Sequence, residues 1–209
     1  MEIAKIIHIT IIIILTSLAI VSKQLGKRKF YYVLKPLTLL LIIALPLLEF
    51  REEYSTYAYL IIIGLVFSLL GDLFLLFPEK YFTNGLYSFL AAHILYILAF
   101  NQGINTYCYA LLLPIIVYIF IVAKCLKPKL GGMKYPVFGY ILVISIMLFS
   151  ALNMDYQFGQ ISFVGIGAIL FAISDATLAF NKFYKKFSFA EPIILSTYFL
   201  AQLLLAISI

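Results

Sequence analysis

Residues 56–77 read TYAYLIIIGLVFSLLGDLFLLF, twenty-two residues with one charge, Asp72. At about 1.5 Å per residue, a helix of this length crosses a hydrocarbon core about 30 Å thick. A run so long and so apolar is a transmembrane span, not a strand or an amphipathic surface helix. The whole chain agrees. Of 209 residues, 65% are hydrophobic and 11% charged, with a mean hydropathy of +1.10. A soluble domain averages about 45–50% apolar and about 25% charged residues. An excess of this size cannot be hidden from water in so small a core, so lipid is the solvent.

Working outward, segments of spanning length recur at 3–22, 31–48, 85–101, 107–123, 135–152, 160–179 and 191–209. Short polar separators divide them, such as Gly26-Lys27-Arg28-Lys29, Pro78-Glu79-Lys80, Asn101-Gln102-Gly103 and Lys127-Pro128-Lys129. The expected fold is an all-α integral membrane domain of eight transmembrane helices over 1–209. The first segment has no small-residue cleavage site behind a short apolar stretch, so it reads as a retained helix. The net charge of +6 does not make a nucleic-acid surface, because the cations sit in short blocks between apolar runs. Cys108 and Cys125 lie roughly 25 Å apart along one helical run, beyond disulfide reach. No zinc spacing occurs.

Lysine and arginine placement orients the spans. The connections 1–2, 3–4, 5–6 and 7–8 hold twelve of them: Lys23, Lys27, Arg28, Lys29, Lys80, Lys124, Lys127, Lys129, Lys134, Lys182, Lys185 and Lys186. The other side holds Lys5 and Arg51, beside Glu49, Glu52 and Glu53. Both termini are therefore expected on the extracytoplasmic side. High Ile and Lys usage points to an AT-rich bacterial genome, which would make the membrane the cell's plasma membrane. Short matches also suggest a four-plus-four parallel repeat. Gly71-Asp72 in span 3 pairs with Ser174-Asp175 in span 7, Lys35-Pro36 with Tyr135-Pro136, and Ala92-His93 with Ala201-Gln202.

Ionisable residues within lipid are costly and face a bundle interior or a wet cavity. Lys35, Asp72, His93 and Asp175 are these residues here, with Ser68, Ser174, Asn84, Asn181, Tyr198 and Gln202 as neutral company. Counting from the polar separators puts Lys35, Asp72 and Asp175 roughly 8–10 Å inside the lysine-rich boundary, and His93 about a turn deeper. Four groups from four helices at nearly one depth predict one site. Stripes of small residues, Gly64-Ser68-Asp72 and Ala168-Ala172-Asp175, allow close helix approach and would draw the aspartates toward a shared cavity. Each residue has a structural reading as well. Lys35 can snorkel or neutralise an aspartate, the aspartates can be ion-pair or kink residues, and His93 can be a satisfied core histidine. His8 has nothing near it in the pattern and reads as structural.

Five blocks in order resemble the YhhN family. They are Lys35-Pro36-Leu37-Thr38, the Gly64–Asp72 block, the Gly85–His93 block, the Gly167–Asp175 block running on to Asn181-Lys182-Phe183, and Tyr198-Phe199-Leu200-Ala201-Gln202. The characterised members of that family are lysoplasmalogenases. The resemblance implies hydrolysis of the sn-1 vinyl ether of a lysoplasmalogen, giving a fatty aldehyde and glycerophosphocholine or glycerophosphoethanolamine. It also implies that Asp72 and Asp175 are the catalytic pair, with a membrane lysophospholipid as the partner and no cofactor.

The chemistry suits those residues. Vinyl ethers resist base but hydrolyse in acid through slow protonation of the β-carbon, and water captures the resulting oxocarbenium ion. One protonated carboxyl and one carboxylate are needed, as in the two-carboxylate logic of glycoside hydrolysis. No metal is required, and one histidine with two aspartates is poor in nitrogen for a catalytic zinc. Lys35 would hold one aspartate ionised or meet the substrate phosphate. His93, Asn181, Ser174, Tyr198 and Gln202 would bind substrate or water. The competing function is a transporter or lipid-moving protein with a buried ionisable site. A purely structural scaffold does not explain four such groups at one depth.

Overall fold

The computed structural model describes residues 2–48, 54–77 and 79–209, with the side chains of Glu2 and Glu79 left aside. Among these residues, eight α-helices carry the fold: α1 (Glu2–Gln24), α2 (Arg28–Leu48), α3 (Thr56–Leu76), α4 (Phe82–Phe100), α5 (Leu112–Leu126), α6 (Lys134–Phe158), α7 (Phe163–Ala179) and α8 (Ala190–Ile207). Among the described residues, eight helical stretches are long and apolar enough to cross a membrane. Large apolar side chains such as Ile3, Leu113, Phe120 and Leu142 face outward, as they do where lipid replaces water. One buried cluster takes residues from all eight helices.

Most span boundaries fall within three residues of the sequence reading, and two differ by more. The fifth span was expected from residue 107, but α5 starts at Leu112 behind a single 3-10 turn at Tyr109–Leu111. The Cys108 N–H is given to Asn153 Oδ1 at 2.6 Å, and the Tyr107 ring stacks on Phe149. Those contacts hold 107–108 against α6 instead of in a helix. The sixth span was expected to stop at 152, but α6 runs on to Phe158 and ends at Gly159, whose φ of 64° is the left-handed cap that glycine takes freely. Its polar end is satisfied locally. Asn153 donates to Phe149 O, and Asp155 accepts from the Ser162 backbone N–H and hydroxyl, closing the turn into α7. The acidic cluster Glu49, Glu52 and Glu53, with Arg51, lies outside the described residues. His8, expected to have nothing near it, reaches Leu41 O at 2.8 Å and ties α1 to α2. Both cysteines are free.

The closest helix packing is α3 on α4 and α7 on α8. Small residues allow each approach. A Cβ on Gly71 would come within 2.7 Å of the Phe89 ring, and one on Gly64 would strike Tyr96. On the other pair, Gly167 lies against Ala201 O and Leu205. Helices α3 and α7 are not among the closely packed pairs, although both contribute their aspartate to one cavity. Small residues seat each aspartate helix on the helix that follows it, and the two carboxylates line one cavity with Phe89 of α4 and Tyr198 of α8.

Candidate active site

Asp72 sits one turn before the end of α3 and is 1% exposed. Helix α2 brings Lys35 to it, and Nζ lies 2.9 Å from Oδ1. Helix α8 brings Tyr198, whose hydroxyl donates to Oδ2 at 2.9 Å. Both carboxylate oxygens are therefore held. Burying an ammonium and a carboxylate costs several kcal/mol each, which only close pairing and further hydrogen bonds offset. The contact geometry here meets that demand.

Asp175 has different neighbours. The Tyr140 hydroxyl of α6 donates a hydrogen bond to Oδ2. His93 of α4 places Nε2 3.9 Å from the same oxygen. Aromatic edges pack the His93 ring, with Phe171 at 4.6 Å and Tyr140 at 5.4 Å between centroids. The ring is fully buried, and neither ring nitrogen has a hydrogen-bond partner among the described residues.

Asp72 and Asp175 line one cavity of about 170 Å³, with Lys35, Phe89 and Tyr198. Lys23, Tyr31, Lys182 and Glu191 line it too, from the helix ends that carry the lysine-rich connections. An open vestibule of about 840 Å³ adjoins, and Lys23 and Tyr31 line both spaces. On the other side, Leu75, Phe82, Phe89, Asp175 and Leu178 are shared with a second, apolar pocket. Val122, Val137, Ile141 and Ile144 line it further, as do Tyr118 and Tyr140. Asp175 thus stands where a polar chamber meets a greasy one, and Asp72 belongs to the polar chamber alone.

The other sequence candidates divide. Tyr198 contacts Asp72. Ser174 lines the cavity, but its hydroxyl is spent on Ile194 O at 3.1 Å. Asn181 lies in a π-helical turn, Phe180–Tyr184, and its Oδ1 accepts the Phe187 N–H at 3.3 Å. It holds the loop and is not part of the cavity lining. Gln202 is fully buried and accepts from the Tyr96 hydroxyl at 3.0 Å, and that hydroxyl also lies 3.4 Å from Ser68 Oγ. This bridge joins α3, α4 and α8 behind the cavity. The sequence reading missed Tyr140, Tyr31, Lys23 and Glu191. Tyr140 had a partial signal, since it stands one turn after Pro136, the residue matched to Pro36. The tyrosine matched to Lys35, Tyr135, is 83% exposed and faces away.

A model of the YhhN family matches residues 30–209. Lysoplasmalogenase TMEM86A of Homo sapiens is 34% identical over 167 residues, covering 71% of this chain and 64% of that protein. Lysoplasmalogenase TMEM86B of Homo sapiens is 36% identical over 149 residues, covering 69% and 61%. A lysoplasmalogenase homolog of Dictyostelium discoideum is 34% identical over 152 residues, covering 58% and 50%. The chain therefore spans less than two thirds of the length of these relatives. No solved structure matches it.

Proposed function

The chain belongs to the YhhN family, and from that premise we propose that it hydrolyses the sn-1 vinyl ether of a lysoplasmalogen, with Asp175 as the proton donor and Asp72 as the carboxylate. The observation that carries the proposal is the unequal company of two aspartates on one cavity. Asp72 faces the Lys35 ammonium at 2.9 Å, which favours its charged form. Asp175 faces a tyrosine hydroxyl and a histidine ring at the edge of an apolar pocket, where a neutral carboxylic acid is at home.

The substrate has the same polarity. Its glycerophosphate end suits the polar chamber, and its hydrocarbon chain suits the pocket lined by Val137, Ile141 and Ile144. The carbon to be protonated is the second of the chain, on the tail side of the ether oxygen, and Asp175 stands on that side. Asp175 gives its proton to this β-carbon, and the alkene electrons form the new C–H bond. The positive charge is then shared by the α-carbon and the ether oxygen. The Asp72 carboxylate stabilises that cation and takes a proton from the water that adds to the α-carbon. The hemiacetal passes its hydroxyl proton to the departing glycerol oxygen, releasing aldehyde and glycerophospho-alcohol. A proton moving from Asp72 back to Asp175 through the shared cavity restores the starting state. Two positioned carboxyl groups of this kind contribute on the order of 10²–10⁴-fold each.

The test is aldehyde release from a defined lysoplasmalogen by purified protein in detergent micelles. Hydrolysis needs no gradient, so turnover is expected there. In D2O the aldehyde should carry one deuteron on the carbon next to the carbonyl. No aldehyde in micelles overturns the hydrolase reading and favours a lipid carrier, whereas aldehyde without that deuteron overturns the carbon-protonation step.

A further inference from the structure

The threshold between vestibule and cavity is zwitterionic. Lys23, at the end of α1, pairs with Glu191, in the first turn of α8, at 3.7 Å. Both side chains are about one third exposed, and such a pair contributes little to stability. Both nevertheless line the cavity that holds the aspartates. Glu191 is the one carboxylate besides Asp72 and Asp175 among the residues lining it, and it sits among cations. A threshold built for an anionic phosphate alone would gain nothing from it.

Resting on the lysoplasmalogen reading above, we propose that Lys23 and Glu191 form the headgroup subsite and select a primary ammonium, phosphoethanolamine over phosphocholine. The phosphate and nitrogen of that headgroup are separated by two carbons, so a cation and an anion side by side can meet both at once. The Lys23 side takes the phosphate, with Arg28 in the adjoining vestibule. The Glu191 side takes the ammonium, whose N–H groups hydrogen-bond a carboxylate. A trimethylammonium has no N–H and is recognised by open aromatic faces. The Tyr31 ring at this threshold is already covered by Lys23 Nζ, 4.5 Å from its centroid. At Tyr31, the ring that lines this threshold with Glu191, choline therefore finds a face that is already covered.

Two assays on wild type and Glu191→Gln decide this. In the first, kcat/KM is measured for alkenyl-glycerophosphoethanolamine, alkenyl-glycerophosphocholine and alkenyl-glycerophosphate, which lacks an amine. Wild type should favour ethanolamine over choline by about tenfold, the scale of one charge-assisted hydrogen bond. The variant should bring that ratio near one by raising KM for ethanolamine alone, leaving kcat and the amine-free substrate within about twofold. A role confined to the helix N-terminus would lower thermal stability and leave the ratio intact. In the second, calorimetry in micelles measures binding of the saturated 1-O-alkyl analogues, which cannot be hydrolysed. An ethanolamine preference lost in the variant supports the subsite even if no aldehyde forms, and the failure is then that of the hydrolase reading. A wild-type ratio near one, or a ratio unchanged in the variant, overturns the subsite.

Discussion

Asp72 and Asp175 end similar sequence blocks, one on α3 and one on α7, and they line the same cavity. Around Asp72 the protein gathers a lysine and a tyrosine, one to each oxygen. Around Asp175 it gathers a tyrosine, a histidine and the mouth of an apolar pocket. Two like residues thereby acquire unlike surroundings, on which their proposed division into acid and carboxylate rests. The general lesson is that a pair of carboxyl groups becomes an acid and a base through what surrounds each, because their intrinsic proton affinities are the same.

The contrast breaks most plainly at the carboxyl groups. Asp175→Asn and Asp72→Asn should each lower aldehyde release on the order of 1,000-fold, measured by coupled aldehyde oxidation. Protein that is monodisperse by size exclusion and still turns over near the wild-type rate would remove the residue from the mechanism. Next comes Lys35→Met, which strands the buried Asp72 charge. It should cost about 3–5 kcal/mol of stability in thermal or denaturant unfolding. Adding Asp72→Asn should recover most of that stability while leaving the protein inactive. A single variant as stable as wild type would mean that Lys35 and Asp72 are not coupled. Smaller again is the difference between the two tyrosines. Tyr140→Phe should lower kcat about tenfold with KM nearly unchanged, the scale of one hydrogen bond to a carboxyl. Tyr198→Phe should be milder, since Lys35 still holds Asp72. Equal losses would erase the distinction between the two environments. The smallest effect is expected at Asn181, which ties its own loop. Asn181→Ala should leave turnover within about twofold, and a large loss would bring that turn into the site.

Much of the bundle is legible in the sequence because lipid imposes one rule, long apolar runs, and the chain obeys it eight times. Boundaries were harder where polar side chains satisfied the backbone themselves. Asn153 and Asp155 look like the end of a span, yet they support the last turns of α6 and the start of α7. Within the site, Asp72, Asp175, Lys35 and His93 were visible because a charge in a span is rare. Tyr140 was hidden among sixteen tyrosines, and only the α6–α7 packing distinguishes it. Lys23 and Glu191 lie at helix ends where charges are ordinary, so no residue count could separate them from snorkelling neighbours. Asn181 and the Gln202 carbonyl show the converse, since polar groups near a site can be spent on holding loops and helices.

The position of Asp175 at the seam between the two chambers has a consequence for traffic. The proposed reaction cuts an amphiphile into one water-loving and one oil-loving piece, and each is already on the side of the seam that matches its solvent. The glycerophospho-alcohol faces the vestibule, and the aldehyde faces the apolar pocket lined by Val137, Ile141 and Ile144. Neither product has to pass the other to leave, so departure needs no gate and no fixed order. Added aldehyde should then inhibit according to its concentration in the bilayer, and added headgroup product according to its concentration in water. The two inhibitions should be independent of one another.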